Sequence, residues 1–312
     1  MPGADSGFSE LLPDEVANML GRLEFLARKA KEGTINGRHT SPHKGFSVEF
    51  AEHRQYVTGD DLRNLDWRVY GKSDRYYIKQ YIEETNMRVT ILVDASGSMK
   101  YAGDEAVSVG EHQHVSKFQY AQYLTAALTY MLIRQQDAVG LVTFADGIKK
   151  YLRAAAKPSQ IKMILEELRN TTPGEHTRCA DTFHEIAERI PSRGLVIIIS
   201  DLFDDAEAIK NALHHFQWKN HELVVFHLMA EEEITFPFKK FDEFKCLEVN
   251  GQRVNIDPAT IRASYLERVR EHLKKMEIAC GQMSADYVPV NTKIPVEQTL
   301  YSYFTDRKAG SR

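Results

Sequence analysis

Two short runs of apolar, largely β-branched residues most constrain the fold of this chain, because each ends abruptly on a carboxylate. The first run, Arg88–Val93, leads into Asp94, and the second, Leu195–Ser200, leads into Asp201. Runs of this kind are typical of strands buried on both faces of a parallel sheet. In open sheets of that type, ligands bind at the carboxyl ends of the strands. The sequence therefore predicts a polar site where these two strands end.

Side chains that carry oxygen donors gather around the predicted strand ends. The turn after the first strand has the spacing D-x-S-x-S, and the turn-rich segment 173–177 can bring a threonine to the same edge. The candidate metal-binding residues are Asp94, Ser96, Ser98, Thr177 and Asp201. Oxygen ligands suit Mg²⁺, Mn²⁺ or Ca²⁺ rather than zinc, and the small number of carboxylates favours Mg²⁺. The alternative is an ordinary strand-to-loop turn with solvated serines.

This set of residues resembles the metal-ion-dependent adhesion site of von Willebrand factor A domains. The resemblance implies that the two serines and the threonine coordinate a divalent cation and that the two aspartates hold it partly through water. The chain departs from the family pattern before Thr177, where many such domains have Gly-Gly and this sequence has Glu175-His176.

A second motif lies between Glu49 and Arg68. It contains Glu-Phe-Ala-Glu, an arginine, Tyr-x-x-Gly-Asp-Asp and Asp-Trp-Arg. Together with the metal motif, it resembles the family catalogued as domain of unknown function 58, from about Gly37 to the end of the chain. The resemblance implies a von Willebrand factor A-like domain and a partner ATPase of the MoxR-type AAA+ class, acting in the assembly or maturation of other proteins. Many relatives begin with membrane helices, which this chain is not expected to have.

The predicted fold class is α/β: a doubly wound, mainly parallel sheet of the von Willebrand factor A-like, Rossmann-like kind, with a small β-rich N-terminal subdomain. Residues 1–36 are predicted to form a helical segment, with a helix over Val16–Lys31. Residues 37–86 are predicted to form the β-rich subdomain, with a short helix over Leu62–Leu65 and a strand over Tyr76–Glu83. Residues 87–312 are predicted to form the A-like domain, with a C-terminal hairpin and helix extension.

Alternation of strand and helix patterns supports the parallel sheet. Further strands are predicted over Ala138–Phe144, Ile148–Leu152, Glu222–Met229 and Asp286–Val290, and a hairpin over Phe244–Ile256. Helices are predicted from the capping box at Ser116 to about Gln135, over Ser159–Leu168, Ala180–Ile190, Ala206–Phe216 and Val296–Phe304, and after Asp257-Pro258.

The segment Lys100–Val115 is a long polar loop that follows the metal motif directly. We expect it to lie beside the metal and to shape which partner fits. His112 and His114 are an alternative ligand pair, although alternate histidines in a loop are usually solvated. Cys179 also lies near the predicted site, where a single buried cysteine is more often a small packing residue than a nucleophile.

Composition excludes several function classes. The net charge of −4 over 312 residues gives no reason to expect nucleic-acid binding. The three cysteines form no C-x-x-C pair, which favours a reduced compartment. No run of about 18 apolar residues predicts a membrane span, and the first residues do not resemble a signal peptide. We expect a cytoplasmic protein.

The pattern favours a non-enzymatic, metal-dependent protein-interaction module. A cation with an open coordination position can accept a carboxylate from the partner ATPase or from a client protein. The alternative is a metal-dependent hydrolase, phosphoesterase-like, at the same strand-end site. Hydrolases that form an aspartyl phosphate usually need a second aspartate two positions on, where this chain has Ser96, and His176 is the nearest candidate base in sequence. A third possibility is a purely structural domain with no bound metal.

Overall fold

The computed structural model describes residues 48–57, 65–83, 87–104, 106–108, 114–174, 179–238, 242–245, 247 and 253–310. These residues fall into two compact units, one within residues 38–86 and the other from residue 87 onward. The helix predicted over Val16–Lys31 lies outside the described residues.

The smaller unit is built on an antiparallel pair of strands. Strand β1 (Val48–Gln55) pairs with β2 (Tyr77–Glu83), with an irregularity in register between Phe50 and Glu52. Helix α1 (Trp67–Ser73) begins at Asp66, whose side chain accepts hydrogen bonds from two backbone N–H groups of the first turn. An aspartate in this position satisfies donors that the helix itself leaves unpaired.

This unit confirms the predicted strand and corrects the predicted helix. The expected Tyr76–Glu83 strand is β2. The helix expected over Leu62–Leu65 is wrong at Leu65, which instead forms a β-bridge with Ile78, and the rest of that segment lies outside the described residues. The helix in the described part of this unit starts at Trp67, because Asp66 supplies its N-cap.

The larger unit contains a six-stranded sheet. Its strands are β3 (Arg88–Asp94), β4 (Ala138–Phe144), β5 (Ile148–Ala155), β6 (Gly194–Ser200), β7 (His221–Met229) and β10 (Asp286–Asn291). They lie side by side in the order β10-β7-β6-β3-β4-β5. All neighbours are parallel except the edge pair β4–β5, a hairpin closed by a short turn. This confirms the predicted doubly wound, mainly parallel sheet of an α/β fold.

Helices cover both faces of the sheet, which explains why its central strands are apolar throughout. They are α2 (Lys117–Arg134), α3 (Ser159–Asn170), α4 (Cys179–Arg189), α5 (Ala206–Trp218), α6 (Glu231–Thr235), α7 (Pro258–Gln282) and α8 (Val296–Gly310). One core joins alternate residues of β3 to α2, α3 and α8. The other core joins the remaining β3 face to α4, α5 and α7. Residues on β3 therefore alternate between two packed layers.

Two helices begin at the capping residues from which they were predicted. Ser116 and Gln119 form a reciprocal capping box at the start of α2, with hydrogen bonds of 3.1 and 2.9 Å. Asp257 caps α7, with Pro258 in its first turn. The second predicted hairpin is present as β8 (Asp242–Lys245) paired with β9 (Arg253–Ile256).

In the part of the chain that the structure describes, no helix is both long and apolar enough to cross a membrane.

Gly140 permits the close approach of β4 and β5. A Cβ atom there would lie 2.7 Å from the backbone oxygen of Leu152 and 2.8 Å from the backbone nitrogen of Ala154. The strand register shifts at this position, between Val139 and Leu141.

We therefore expect Gly140→Ala to lower the free energy of unfolding by about 1–3 kcal/mol, because the added methyl group must displace backbone rather than a flexible side chain. Gly147→Ala is the matched control, since a Cβ there would meet nothing within 4 Å. Urea denaturation of both variants measures the difference. Equal stabilities would show that the β4–β5 pair tolerates the methyl group.

Candidate metal centre

The candidate site lies where β3 and β6 end, side by side in the middle of the sheet. From β3 the chain continues to β4 on one side of the sheet, and from β6 it continues to β7 on the other side. The connections after β3 and β6 therefore leave in opposite directions along the sheet. This is the topological switch point at which open α/β sheets bind ligands.

Asp94 is fully buried at the end of β3. Its Oδ1 atom accepts a hydrogen bond of 2.9 Å from the backbone N–H of Ser96. Its Oδ2 atom accepts hydrogen bonds from the Ser200 hydroxyl and, at 3.6 Å, from the Cys179 thiol. The carboxylate is thus held in one orientation by neutral donors and has no cationic partner among these contacts.

The two serines of the D-x-S-x-S turn face each other. Ser96 is fully buried, and its Oγ atom lies 3.1 Å from the Oγ atom of Ser98. The Ser98 hydroxyl also hydrogen-bonds to Asp201, which links the turn after β3 to the turn after β6. Three oxygen-bearing side chains from two strands therefore meet in one place.

Asp201 differs from Asp94 because it has a buried cation beside it. The ammonium of Lys117 donates to Asp201 Oδ2 at 2.7 Å and to Glu233 Oε1 at 2.8 Å, and the lysine side chain is 2% exposed. Lys117 comes from the first turn of α2, and Glu233 comes from α6, after β7. The other Asp201 oxygen, Oδ1, accepts a bond of 3.3 Å from the backbone N–H of Phe203.

These contacts give the two aspartates opposite pKa shifts. Burial, and then the charge of Asp201, raises the pKa of Asp94 to about 6. Burial would also raise the pKa of Asp201, but the charge and hydrogen bond of Lys117 outweigh it and lower that pKa. Burial disfavours the ammonium of Lys117 too, yet the two carboxylates raise its pKa overall. Asp201 and Lys117 are therefore an ion pair, whereas Asp94 is easily protonated.

Four of the five predicted ligands thus come together: Asp94, Ser96, Ser98 and Asp201. Thr177 lies outside the described residues, as does His176, the candidate base of the hydrolase alternative. Within the described residues, no group of three or more His, Cys, Asp and Glu side chains is placed to hold a metal ion. Any metal here would therefore depend on the serine hydroxyls.

Cys179 lies in the site, but its thiol is protonated. It is fully buried, and burial, followed by the charge of Asp94, raises its pKa well above the usual value. A nucleophilic cysteine needs a lowered pKa. Cys179 therefore acts as a packing residue and weak hydrogen-bond donor, as its isolation in the sequence indicates.

The described part of the loop after the metal motif is anchored to the domain. The backbone of Tyr101 accepts a hydrogen bond from Lys117 N–H, and Val107 N–H donates to the backbone oxygen of Thr292. Gly103 lies against the side chain of Glu232 in α6. His112 lies outside the described residues. The loop's first residues therefore pack between α2 and α6.

Sequence reasoning missed three contributors to the site: Ser200, Lys117 and Glu233. Ser200 could have been found, because it is the polar last residue of the second apolar run. Lys117 could not, because a lysine in the first turn of a helix is usually solvated. Its partners lie 84 and 116 residues away in the chain.

A partly positive and partly apolar rim surrounds the site. Lys149 donates from Nζ to the backbone oxygens of Thr172, at 2.8 Å, and of Ala95, at 3.4 Å, and so lies beside the D-x-S-x-S turn. Lys100 is exposed at the end of that turn. On the opposite turn, Phe203 is 69% exposed two residues after Asp201.

We expect Lys117→Met to lower the free energy of unfolding by about 3–5 kcal/mol, because it leaves Asp201 and Glu233 without their buried cation. Lys150→Met is the matched control, since Lys150 pairs with Glu167 at 3.6 Å on the surface, where an ion pair contributes about 0–1 kcal/mol. Chemical denaturation in metal-free buffer measures both. A cost for Lys117→Met no larger than for the control would contradict the role assigned to this ion pair.

A raised carboxyl pKa stabilises the fold only while the group is protonated. The contribution of neutral Asp94 is fully present below pH about 4 and is lost as the pH rises through about 6. We therefore expect Asp94→Asn to be more stable than the wild type at pH 8 without metal, by roughly 3 kcal/mol, with the difference vanishing toward pH 4.

The measurement is the free energy of unfolding of both proteins across this pH range, with chelator present. Asp146→Asn, in the exposed β4–β5 turn, is the control for an aspartate outside the site. A difference between wild type and Asp94→Asn that does not change with pH would refute the burial argument for Asp94.

The comparison with known families gives one extensive match. The family described as "Protein of unknown function DUF58" matches residues 52–275. Uncharacterized proteins of Mycobacterium tuberculosis and Mycobacterium bovis are 29% identical to the chain over 87 residues, which is 28% of this chain. The matched segment spans 27% of the length of these curated relatives.

Solved structures of low sequence identity also align with the chain. The conserved hypothetical protein BatB from Bacteroides thetaiotaomicron is 18% identical, with a TM-score of 0.40, over 70% of this chain and 99% of that one. An aerotolerance-related membrane protein from Bacteroides fragilis is 16% identical, with a TM-score of 0.43, over the same shares. The SpRpn10 VWA domain is 11% identical, with a TM-score of 0.40, over 70% of this chain and 95% of that one.

The family match covers most of the 312 residues. It begins in β1 of the smaller unit, takes in the D-x-S-x-S turn and the Asp201 turn, and ends within α7. The chain therefore belongs to the DUF58 family of proteins of unknown function.

Proposed function

We propose that the site at the ends of β3 and β6 binds one divalent cation and that the bound cation receives a carboxylate from a partner protein. The observation that carries this proposal is the meeting of Asp94, Ser96, Ser98 and Asp201, with the two serine oxygens 3.1 Å apart. Neighbouring ligands of an octahedral Mg²⁺ ion, bound at 2.0–2.1 Å, are about 2.9 Å apart. The serine pair has nearly this spacing.

The contacts of each side chain indicate whether it would bind the cation directly or through water. Ser96 and Ser98 would bind the cation directly, with Thr177 as the further hydroxyl implied by the resemblance to adhesion sites. Asp94 would act through water, because both of its oxygens already accept hydrogen bonds from protein donors. Mg²⁺ is the best match for a site of neutral hydroxyls and few carboxylates, with Mn²⁺ and Ca²⁺ as alternatives.

The charge balance supports capture of an acidic group. Lys117 already compensates Asp201, so Asp94 is the one carboxylate at the strand ends whose contacts are all with neutral donors. A divalent ion bound there keeps net positive charge. When bound, the cation supplies a site of attraction for an anionic oxygen, and an Asp or Glu side chain of a partner meets that need.

The rim favours a partner segment that is both acidic and apolar. Lys149 and Lys100 add positive charge beside the turn after β3. Phe203 presents an exposed aromatic ring on the turn after β6. We therefore propose that the partner's carboxylate is accompanied by an apolar side chain that packs on Phe203.

Membership of the DUF58 family supports a specific partner class. The resemblance implies a MoxR-type AAA+ ATPase, and we propose that this ATPase or its client protein supplies the carboxylate. The von Willebrand factor A-like fold fits a protein-interaction module, and we propose that the chain acts without catalysing a reaction of its own.

Metal binding is tested by calorimetric titration of the metal-free protein with Mg²⁺. We expect one site, lost in Asp94→Ala and weakened in Ser98→Ala. Ser264→Ala, at an exposed serine of α7, is the matched control and should bind like the wild type. Undiminished Mg²⁺ binding by Asp94→Ala would overturn the assignment of the site.

Partner binding is tested with a purified MoxR-type ATPase from the same source. We expect chelation of the metal, Ser98→Ala and Phe203→Ala each to weaken binding, roughly tenfold to hundredfold for the metal contact, since a hydrogen bond to a charged group contributes about 1.5–3 kcal/mol. Trp218→Ala removes another exposed aromatic residue, at the far end of α5, and should have no effect. Equal affinity of all variants, with and without chelator, would refute the proposal, and metal-dependent phosphatase turnover lost in Asp94→Ala would favour the hydrolase alternative.

A further inference from the structure

A pair of histidines on the helices α4 and α5 lies apart from the strand-end site. His184 on α4 and His215 on α5 approach each other with their Nδ1 atoms 3.1 Å apart. Their ring planes are tilted by 45°, with the centroids 5.3 Å apart. The neighbouring residues Phe183 and Phe216 point into the core, which leaves the two imidazoles on the outer surface of the helix pair.

A carboxylate fixes the hydrogen position on His215. The Nε2 atom of His215 lies 2.7 Å from Glu188 Oε1, and the other oxygen of Glu188 accepts from Lys219 Nζ at 2.8 Å. Because Glu188 also pairs with the ammonium of Lys219, it meets His215 as a carboxylate, which can only accept a hydrogen bond. Nε2 of His215 must therefore carry the hydrogen. In neutral His215, Nδ1 presents its lone pair to His184.

We propose that His184 and His215 form a second metal site, which binds a transition-metal ion of the Zn²⁺, Cu²⁺ or Ni²⁺ class through their two Nδ1 atoms. Ligands of a tetrahedral Zn²⁺ ion at 2.0–2.1 Å are about 3.3 Å apart, so the observed spacing needs little adjustment. A metal-binding histidine usually donates its second ring nitrogen to a carboxylate, which is the arrangement of His215 and Glu188.

The ligand chemistry separates this site from the strand-end site. Imidazole nitrogens suit Zn²⁺, Cu²⁺ and Ni²⁺, whereas Mg²⁺ prefers oxygen. His184 is exposed and the side chain of His215 is 20% exposed, so water can reach the pair and complete the coordination. Without a metal, His184 would donate from Nδ1 to His215 Nδ1, and the pair would be an ordinary hydrogen bond between two helices.

The chain contains a reporter for this site. Trp218 is 83% exposed and lies three residues after His215, which makes the two side chains neighbours on the surface of α5. The chain has two tryptophans, and Trp67→Phe leaves Trp218 as the single tryptophan, whose emission can be excited apart from that of the tyrosines. Cu²⁺ quenches tryptophan fluorescence when it binds nearby.

The experiment is a Cu²⁺ titration of the untagged Trp67→Phe protein in excess Mg²⁺, followed by displacement of Cu²⁺ with Zn²⁺. We expect saturable quenching by one ion per chain, lost in His184→Ala and in His215→Ala. Glu188→Gln should weaken binding about 10–100-fold, because it removes the carboxylate that orients His215.

His214→Ala is the matched control, because His214 is the adjacent histidine on α5 and bonds to Gln217 rather than to the pair. It should leave the titration unchanged. Quenching that persists in His184→Ala and His215→Ala, or that His214→Ala removes equally, would assign the binding to other histidines and overturn the proposal. Mg²⁺ binding at the strand ends should be the same in all four variants, so this test can fail without affecting the proposed function.

Discussion

The buried ion pair between Lys117 and Asp201 is the interaction on which the candidate site depends. Two carboxylates at the ends of adjacent central strands cannot both lie ionised in a protein interior without compensation. The fold pairs Asp201 with an ammonium, whereas the hydrogen-bond donors to Asp94 are neutral. As a result, Asp201 is held as a carboxylate by its ion pair, and Asp94 gains most from a cation bound at the serine turn.

The same lysine joins elements that are far apart in the chain. Its backbone N–H bonds to Tyr101 at the start of the long loop, and its ammonium bonds to Asp201 after β6 and to Glu233 in α6. The capping box at Ser116 fixes where α2 begins and hence where Lys117 points. A local signal at a helix end therefore sets the geometry of a site built from three loops.

The sequence predicted the parts of this fold that are encoded locally. Apolar runs gave β3 and β6, the capping box gave the start of α2, and the polar residues at both strand ends placed Asp94 and Asp201 together. It did not predict that Lys117 is buried, because Lys117 is buried against Asp201 and Glu233, which lie 84 and 116 residues away in the chain and are close only in the folded protein. The contact between His184 and His215 was not predicted either, because the two residues lie on different helices and no residue spacing within one helix indicates such a contact.

His227 lies beside Asp201, and its contacts bear on the choice between binding and catalysis. Burial lowers the pKa of His227 to about 4, and its ring bonds to the Tyr287 hydroxyl at 2.8 Å and to the backbone of Asp201. A neutral imidazole with both nitrogens engaged cannot take a proton from Ser96 or Ser98, as a serine nucleophile requires. Its contacts instead tie the Asp201 turn to Tyr287 in the neighbouring edge strand, which agrees with the proposed role of this turn in binding rather than in catalysis.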